Sequence, residues 1–472
     1  MNAPLSIPLV VDLDGTLIRS DLLVETAAAF IGKWPLSSYK LICWVLGGRA
    51  RLKRKLAKRV ELDVSRLPYN EAVLARIAAA RAAGRCVYLA SASDKKFVQA
   101  IAEHFGFFEG WFASDGAVNL SSERKASALT QIFGERGFEY IGNSRADVPV
   151  FRRANCGFVS SGSHAPRQMV QPLPPSGSVS TRWRRAWLAL LRPHHWAKNF
   201  LVAVPFVTSH QFSLDAAVFR VLPAFVAFSL AASSAYIVND ILDIEADRAH
   251  PTKASRPLAA GTISILAAAA AVPVLAAAAA SVASLVSLRL LEAVALYYAI
   301  ALAYSLWLKK KMLVDAVVLA SLYTVRVIGG AAAIDVRVSP WLLGFSVFIF
   351  FALALMKRYS EMALRLDAGL GNPQNRNYQM GDLPVIGALA AASGYSAVIV
   401  FALYLSSPAV LLLYTRPYIL WLACPLLLYW ISRMLMLCHR RMLSDDPMIF
   451  AWRDGVSRLT FITMLLITLA AL

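Results

Sequence analysis

Along the first 180 residues, short apolar runs alternate with polar stretches, whereas most of 199–472 is a succession of apolar runs of membrane-spanning length. The contrast predicts a soluble domain joined to a polytopic membrane domain. In the first part, Ile7–Leu13 reads as a buried strand, followed by Gly15-Thr16 and a long helical region over 17–83. Cys86–Ala90 is a second strand and Lys95–Phe105 the helix after it; Trp111–Ala113, Phe138–Ile141 and Cys156–Val159 complete the strands. Strands alternating with helices predict an α/β domain with a parallel sheet.

The tract Pro172–Ser180, rich in Pro, Gly and Ser, reads as a linker, which divides the chain into 1–170, 171–181 and 182–472. Trp183–Leu191 reads as a basic amphipathic helix at the membrane surface. Beyond it the apolar runs predict an all-α bundle of about nine transmembrane helices, near 199–212, 217–239, 263–287, 290–308, 313–334, 340–356, 383–405, 410–432 and 456–472. The first is short for a full crossing. Lys and Arg concentrate in the loops at 240–262, 309–312, 357–382 and 433–455, so the positive-inside rule places these and the N-terminal domain in the cytoplasm, with Leu472 outside.

Lys and Arg number 48 against 29 acids, a net charge of +19. With no interleaving of aromatic and basic residues, this excess points to cytoplasmic loops, anionic lipid and phosphate ligands, not nucleic acid. Five scattered cysteines form no CxxC pair, which argues against zinc and a disulfide framework. The start of the chain lacks the basic n-region of a signal peptide, so the first domain is expected to stay in the cytoplasm of a cell with this protein in its inner membrane. The run Arg49, Arg51, Lys53, Arg54, Lys55, Lys58 and Arg59 reads either as a solvated helix face or as a contact for anionic lipid or a lipid-phosphate substrate.

Candidate chemistry lies at two places. Val10-Val11-Asp12-Leu13-Asp14-Gly15-Thr16 puts two carboxylates at the C-terminal end of a strand, where open α/β sheets bind ligands. An aspartate there suits attack on phosphorus, and a second one two residues on suits protonation of the leaving oxygen. At the end of the apolar run 217–238 stand Asn239, Asp240, Asp243 and Asp247. On a helix the three aspartates share one face, and such a cluster repels itself unless a hard cation such as Mg²⁺, carrying a diphosphate, sits among the oxygens.

The first series, continued by Ser91, Lys125 and Gly142-Asn143-Ser144-Arg145-Ala146-Asp147, resembles the haloacid dehalogenase (HAD) superfamily. The resemblance implies Asp12 as nucleophile, Asp14 as acid/base, Ser91 on the phosphoryl group and Lys125 as charge balance. It also implies Mg²⁺ held by Asp12, Asp14, Asn143 and Asp147, and a helical cap over 17–83. Asn143 stands where the family commonly has Asp, which weakens the metal site.

The second, with Arg248, Lys253, Arg256-Pro257-Leu258 and Gly261, resembles the UbiA superfamily of intramembrane prenyltransferases. The resemblance implies Mg²⁺ held by Asn239, Asp240, Asp243, Asp247 and Asp315. Asp315 follows Tyr304-Ser305-Leu306-Trp307-Leu308-Lys309, but Leu319 leaves its DxxxD pair incomplete. Leu191–Asn199, His250–Lys253, Arg326 with Gly329-Gly330, and Lys357–Glu361 look like the decaprenyl-phosphate phosphoribosyltransferase branch. That branch uses phosphoribosyl diphosphate (PRPP) and polyprenyl phosphate, which implies Lys198, Asn199, Lys253, Arg256, Tyr304, Lys309, Arg326, Lys357 and Arg358 as substrate-binding residues. Arg326 lies inside an apolar span, where an unpaired guanidinium is costly, so a partner is expected.

The expectation is an Mg²⁺-dependent phosphoribosyltransferase fused to a phosphohydrolase acting on its product. A prenyltransferase with a prenyl diphosphate donor, and a non-catalytic lipid-phosphate binding or transport protein, are the alternatives.

Overall fold

The structure, a computed structural model, describes residues 7–115, 120–160, 170–172, 179–209, 213–369, 371–372, 376–443 and 446–472. Most of the expected linker, and Ser444 with Asp445, lie outside the described residues. The chain forms two compact units, Met1–Leu191 with Ile237–Ala271, and Arg192–Tyr236 with Val272–Leu472. Composition alone marks a boundary near 170–182; packing groups 237–271 with the N-terminal region.

In the first unit, strands β1 (Leu9–Asp12), β2 (Val87–Asp94), β3 (Gly110–Ser114), β4 (Glu139–Gly142), β5 (Cys156–Val159) and β6 (Gln171–Pro172) form one parallel sheet in the order β3-β2-β1-β4-β5-β6. All four residues of β1 are buried, as a central strand covered on both faces requires. β6 falls in the tract read as linker; Pro172 is tolerated because the strand is at the sheet edge.

The region over 17–83 is four helices: α1 (Leu22–Lys33), α2 (Tyr39–Leu46), α3 (Arg49–Ala57) and α4 (Glu71–Ala82). Pro35 follows the first break, Gly48 with φ +93° makes the second and Pro68 lies in the third, each incompatible with a continued helix. α5 (Lys95–Phe105) has the bounds the sequence predicts, set by the Asp94 cap and by Gly106 in the left-handed conformation. α6 (Glu123–Phe133) and α7 (Val148–Arg153) complete the domain.

The segment 237–271 packs on this domain through small residues and one ion pair. A Cβ added at Gly32 of α1 would stand 2.8 Å from the Leu242 carbonyl oxygen, and one at Gly261 (φ +66°) would stand 2.9 Å from Cβ of Arg19. Arg248 donates to both carboxylate oxygens of Glu25, at 3.1 and 2.7 Å, and its Nε donates to the Ala259 carbonyl at 3.0 Å. Glu25 is 1% exposed.

The second unit is helical. Among the described residues the chain has seven helices long and apolar enough to cross a membrane, beginning with Leu214–Leu242 and ending with Pro417–His439. The count is up to eight if Pro447–Arg453 and Gly455–Ala471, bent by 82°, are one span. The nine expected spans are thus not reproduced. The expected span near 199–212 is not among them: residues Pro193–Ala203 form a 3-10 helix and Val204–Thr208 a short α-helix, with prolines at the start of each, and the expected last span is present only as part of the bent pair. The rest of the core lies between the helices around Phe228, Tyr297, Leu353 and Ile431.

Removing one member of a buried ion pair strands the other charge. Arg248→Ala is expected to cost about 3–5 kcal/mol locally, read as faster amide hydrogen exchange over 242–263 while β1 and β2 stay protected.

Candidate functional site

The sharp turn after β1 places the first group of side chains. Gly15 has φ +71°, and a Cβ there would stand 2.0 Å from Asn143 Nδ2, so the turn after β1 packs against the turn after β4. Both turns lie at the C-terminal ends of adjacent parallel strands.

Lys125, 4% exposed, is at the centre. Its Nζ donates to Asp12 Oδ1 at 2.7 Å, to Tyr140 Oη at 3.0 Å and to Asp147 Oδ1 at 3.2 Å. Thr16 Oγ1 donates to Asp12 Oδ2 at 3.2 Å. Burial pushes the Asp12 carboxyl up to about 7, although Lys125 opposes it, with Asp147 adding to the rise. Lys125 is pulled down by burial but held above its usual range by Asp12 and Asp147. Asp147 is lowered: burial raises it, and Lys125, Ser144 and Tyr140 outweigh that.

Asp14 accepts from the Leu22 N–H at 2.8 Å through Oδ1, and from Ser91 Oγ at 3.0 Å and Ser93 Oγ at 2.7 Å through Oδ2. Ser91, expected on a phosphoryl group, is here a brace for Asp14, and it also accepts from the Ser93 N–H at 2.9 Å. Asp147, expected at the metal, accepts from Lys125 and Tyr140 on Oδ1 and from Asn143 N–H, Ser144 N–H and Ser144 Oγ on Oδ2. Two of those bonds position Lys125 and Tyr140. Asp12, Asp14, Asn143 and Asp147 carry hard oxygen atoms that suit a cation such as Mg²⁺, with one charge fewer than an aspartate at 143 would bring.

The aspartate-rich segment differs from the continuous helix expected. The helix Leu222–Leu242 ends before Asp243 (φ −101°, ψ 10°), and Ile244–Arg248 is a second short helix. Asp240 and Asp247, both buried, nevertheless meet at one group: Arg256 Nη1 stands 3.2 Å from Asp240 Oδ1 and 2.7 Å from Asp247 Oδ2. A guanidinium between two carboxylates occupies the place a cation would fill, so this donor set also suits Mg²⁺. Asn239 and Asp243 are half-buried, and Lys253 is exposed.

In the second unit, Arg326 finds neutral partners: Nε donates to Asn199 Oδ1 at 2.7 Å, Nη1 to the Leu322 carbonyl at 2.6 Å and Nη2 to Tyr297 Oη at 2.9 Å. Lys198 and Lys357 converge on Asp446 Oδ2 at 2.7 and 3.0 Å. Asp315, fully buried, sits in an arginine network: Arg358 Nε is 2.6 Å from its Oδ2, and Tyr378 Oη donates to Oδ1 at 2.5 Å. Arg358 also reaches Tyr304 Oη at 3.2 Å and pairs with Glu361, which Arg376 contacts at 2.7 Å. Asp315 is thus paired with cations, not grouped with other carboxylates. Lys309 is buried beside this end of the helix Val314–Ile334.

Among the described residues no three His, Cys, Asp or Glu side chains converge on a metal position. Each expected metal-binding carboxylate with a described partner is matched by Lys, Arg or hydroxyl groups. Sequence reasoning missed Ser93, Tyr140, Tyr297, Glu361, Tyr378 and Asp446 as partners; Asp446 also caps the helix Pro447–Arg453.

Lys125→Met leaves Asp12 and Asp147 buried without their cation, an expected cost of about 3–5 kcal/mol in thermal unfolding. It also leaves burial of Asp12 unopposed. With p-nitrophenyl phosphate as substrate for the full chain, activity that needs ionised Asp12 rises with pH through about 7 in the wild type, and this limb moves to higher pH in the variant.

The model of the UbiA prenyltransferase family matches residues 200–464. An uncharacterized protein of Sinorhizobium fredii, y4nM, is 36% identical over 459 residues, covering 96% of this chain and 88% of its own length. Decaprenyl-phosphate phosphoribosyltransferase of Mycolicibacterium smegmatis is 36% identical over 195 residues, 40% of this chain and 60% of that protein. A HAD family hydrolase from Salmonella enterica overlays 35% of this chain and 68% of its own, at 14% identity and a TM-score of 0.28. The family match and the membrane-spanning helices agree: the chain is an integral membrane protein that belongs to the UbiA prenyltransferase family, with an N-terminal α/β domain built on a six-stranded parallel sheet.

Proposed function

We propose that the membrane domain transfers 5-phosphoribose from PRPP to a polyprenyl phosphate, and that the HAD-like domain removes the 5-phosphate from the lipid product. The observation that carries this reading is the placement of Arg256 between Asp240 and Asp247, taken with the likeness to decaprenyl-phosphate phosphoribosyltransferase. Two carboxylates and a guanidinium match a metal diphosphate: the carboxylates hold the cation and the guanidinium grips phosphate oxygens.

In the transfer, the bond from the anomeric carbon to the diphosphate breaks with its electron pair on the leaving group, and a lipid phosphate oxygen forms the new bond. That oxygen is already ionised, so no general base is required. Mg²⁺ held by Asp240 and Asp247 would neutralise the leaving diphosphate. Within the second unit, Asp446 gathers Lys198 and Lys357 and Asp315 holds Arg358, cations of the kind that phosphate groups pair with. The incomplete pair Asp315/Leu319 weighs against a prenyl diphosphate donor.

In the hydrolysis, an Asp12 oxygen attacks phosphorus and the sugar oxygen leaves with a proton from Asp14. Water then cleaves the aspartyl phosphate and frees inorganic phosphate. Leu22 N–H, Ser91 and Ser93 hold Asp14 in one orientation for this exchange.

The positive-inside distribution supports a cytoplasmic HAD-like domain in a cell-membrane protein with Leu472 outside.

With purified protein, Mg²⁺, PRPP and polyprenyl phosphate, the wild type is expected to form a ribosyl lipid. Asp240→Asn and Arg256→Gln are expected to lower the rate on the order of 10²-fold. Consumption of a prenyl diphosphate with PRPP untouched contradicts the donor assignment; consumption of neither contradicts an enzyme.

A further inference from the structure

The α2–α3 hairpin of the cap takes no part in the chemistry above, yet its surface is unusual for a water-facing domain. Leu36, Ile42 and Leu46 are 77%, 67% and 83% exposed, and Tyr39 and Val45 are exposed beside them. Tyr39, Ile42 and Leu46 stand at i, i+3 and i+7, one face of α2. On the other side Trp44 is buried with Phe30, Leu52 and Leu56. The outward apolar face is therefore surplus to the cap's own core.

Immediately after it, residues 49–59 hold seven Lys or Arg and no acid. Arg51, Arg54, Lys55, Lys58 and Arg59 are exposed. An apolar face bordered by cations is the composition of a helix that lies at a lipid headgroup boundary.

We propose that the outer face of α2, with the exposed cations of α3, docks on anionic phospholipid of the membrane that this same chain spans. The charge decides between occupants. A second copy would set one cationic run against another, whereas anionic headgroups neutralise the run and the acyl boundary receives Ile42 and Leu46. An acidic protein would satisfy the charge, but a chain anchored in a bilayer carries its lipid partner with it.

The hairpin is tied to the site it covers. Lys53 Nζ donates to the Ala92 carbonyl at 2.7 Å, between Ser91 and Ser93, the two residues that hold Asp14. Lys96 Nζ donates to the carbonyls of Ala57 and Val60 at 2.9 and 3.2 Å. A docked hairpin thus presents the HAD-like site to phosphate esters carried on lipid in preference to soluble ones; this last step rests on the phosphohydrolase reading, the docking itself does not.

Cys43 lies on the exposed side of α2 and serves as the reporter. The full-length protein, with exposed Cys86 replaced by Ser, carries bimane at Cys43 in nanodiscs of phosphatidylcholine with or without phosphatidylglycerol. Docking predicts quenching by doxyl-labelled lipid and loss of quenching by aqueous iodide when phosphatidylglycerol is present, both reversed by Lys55→Glu with Lys58→Glu. Equal iodide access in both lipids without doxyl quenching overturns the proposal. So does protection that depends on the number of chains per disc, which marks a second copy, or protection only on adding another protein. Because this readout needs no turnover, it stands apart from the enzymatic reading. A preference for lipid-borne over soluble phosphate esters that survives Ile42→Glu with Leu46→Glu would overturn the presenting role alone.

Discussion

The ion pair between Glu25 and Arg248 fixes what the first unit is. A carboxylate that is 1% exposed is tolerated only with a cation at hydrogen-bond distance, and Arg248 supplies two such bonds. Glu25 sits one turn into α1, whose first N–H is bonded to Asp14, and Arg248 follows Asp247 directly. The pair therefore joins the aspartate-rich segment to the N-terminal α/β domain in one packed body. Gly32 and Gly261 admit the close approach that the pair requires.

The same rule of paired charge organises each candidate site. Lys125 joins Asp12 and Asp147; Arg256 joins Asp240 and Asp247; Asp446 joins Lys198 and Lys357; Asp315 holds Arg358. Carboxylates and cations thus neutralise one another before any phosphate arrives.

What is written locally in the sequence is what the structure reproduces most closely. Cap residues Asp94 and Gly106 bound α5 where periodicity places it, and Asp12 and Asp14 stand at the end of β1 as the DxDG spacing implies. The partners of those groups were not legible, because they come from distant parts of the chain. Nothing near Glu25 announces Arg248, more than two hundred residues away, and nothing near Asp315 announces Tyr378. Ser91 lies in β2 and donates to Asp14, a contact that the local sequence does not announce. The apolar runs predict nine spans where helix length supports seven or eight; the segment at the start of the first is a 3-10 helix with proline at its first position. The break at Asp243 escaped a reading that assumed regular helical spacing.

Two successive reactions on one chain are proposed, and the mass of the lipid product tests them most directly. Asp12→Asn protein supplied with Mg²⁺, PRPP and polyprenyl phosphate is predicted to accumulate a lipid heavier by one phosphate than the wild-type product. Identical ribosyl lipids from the two proteins would contradict the claim, and would separate the HAD-like domain from the reaction of the membrane domain.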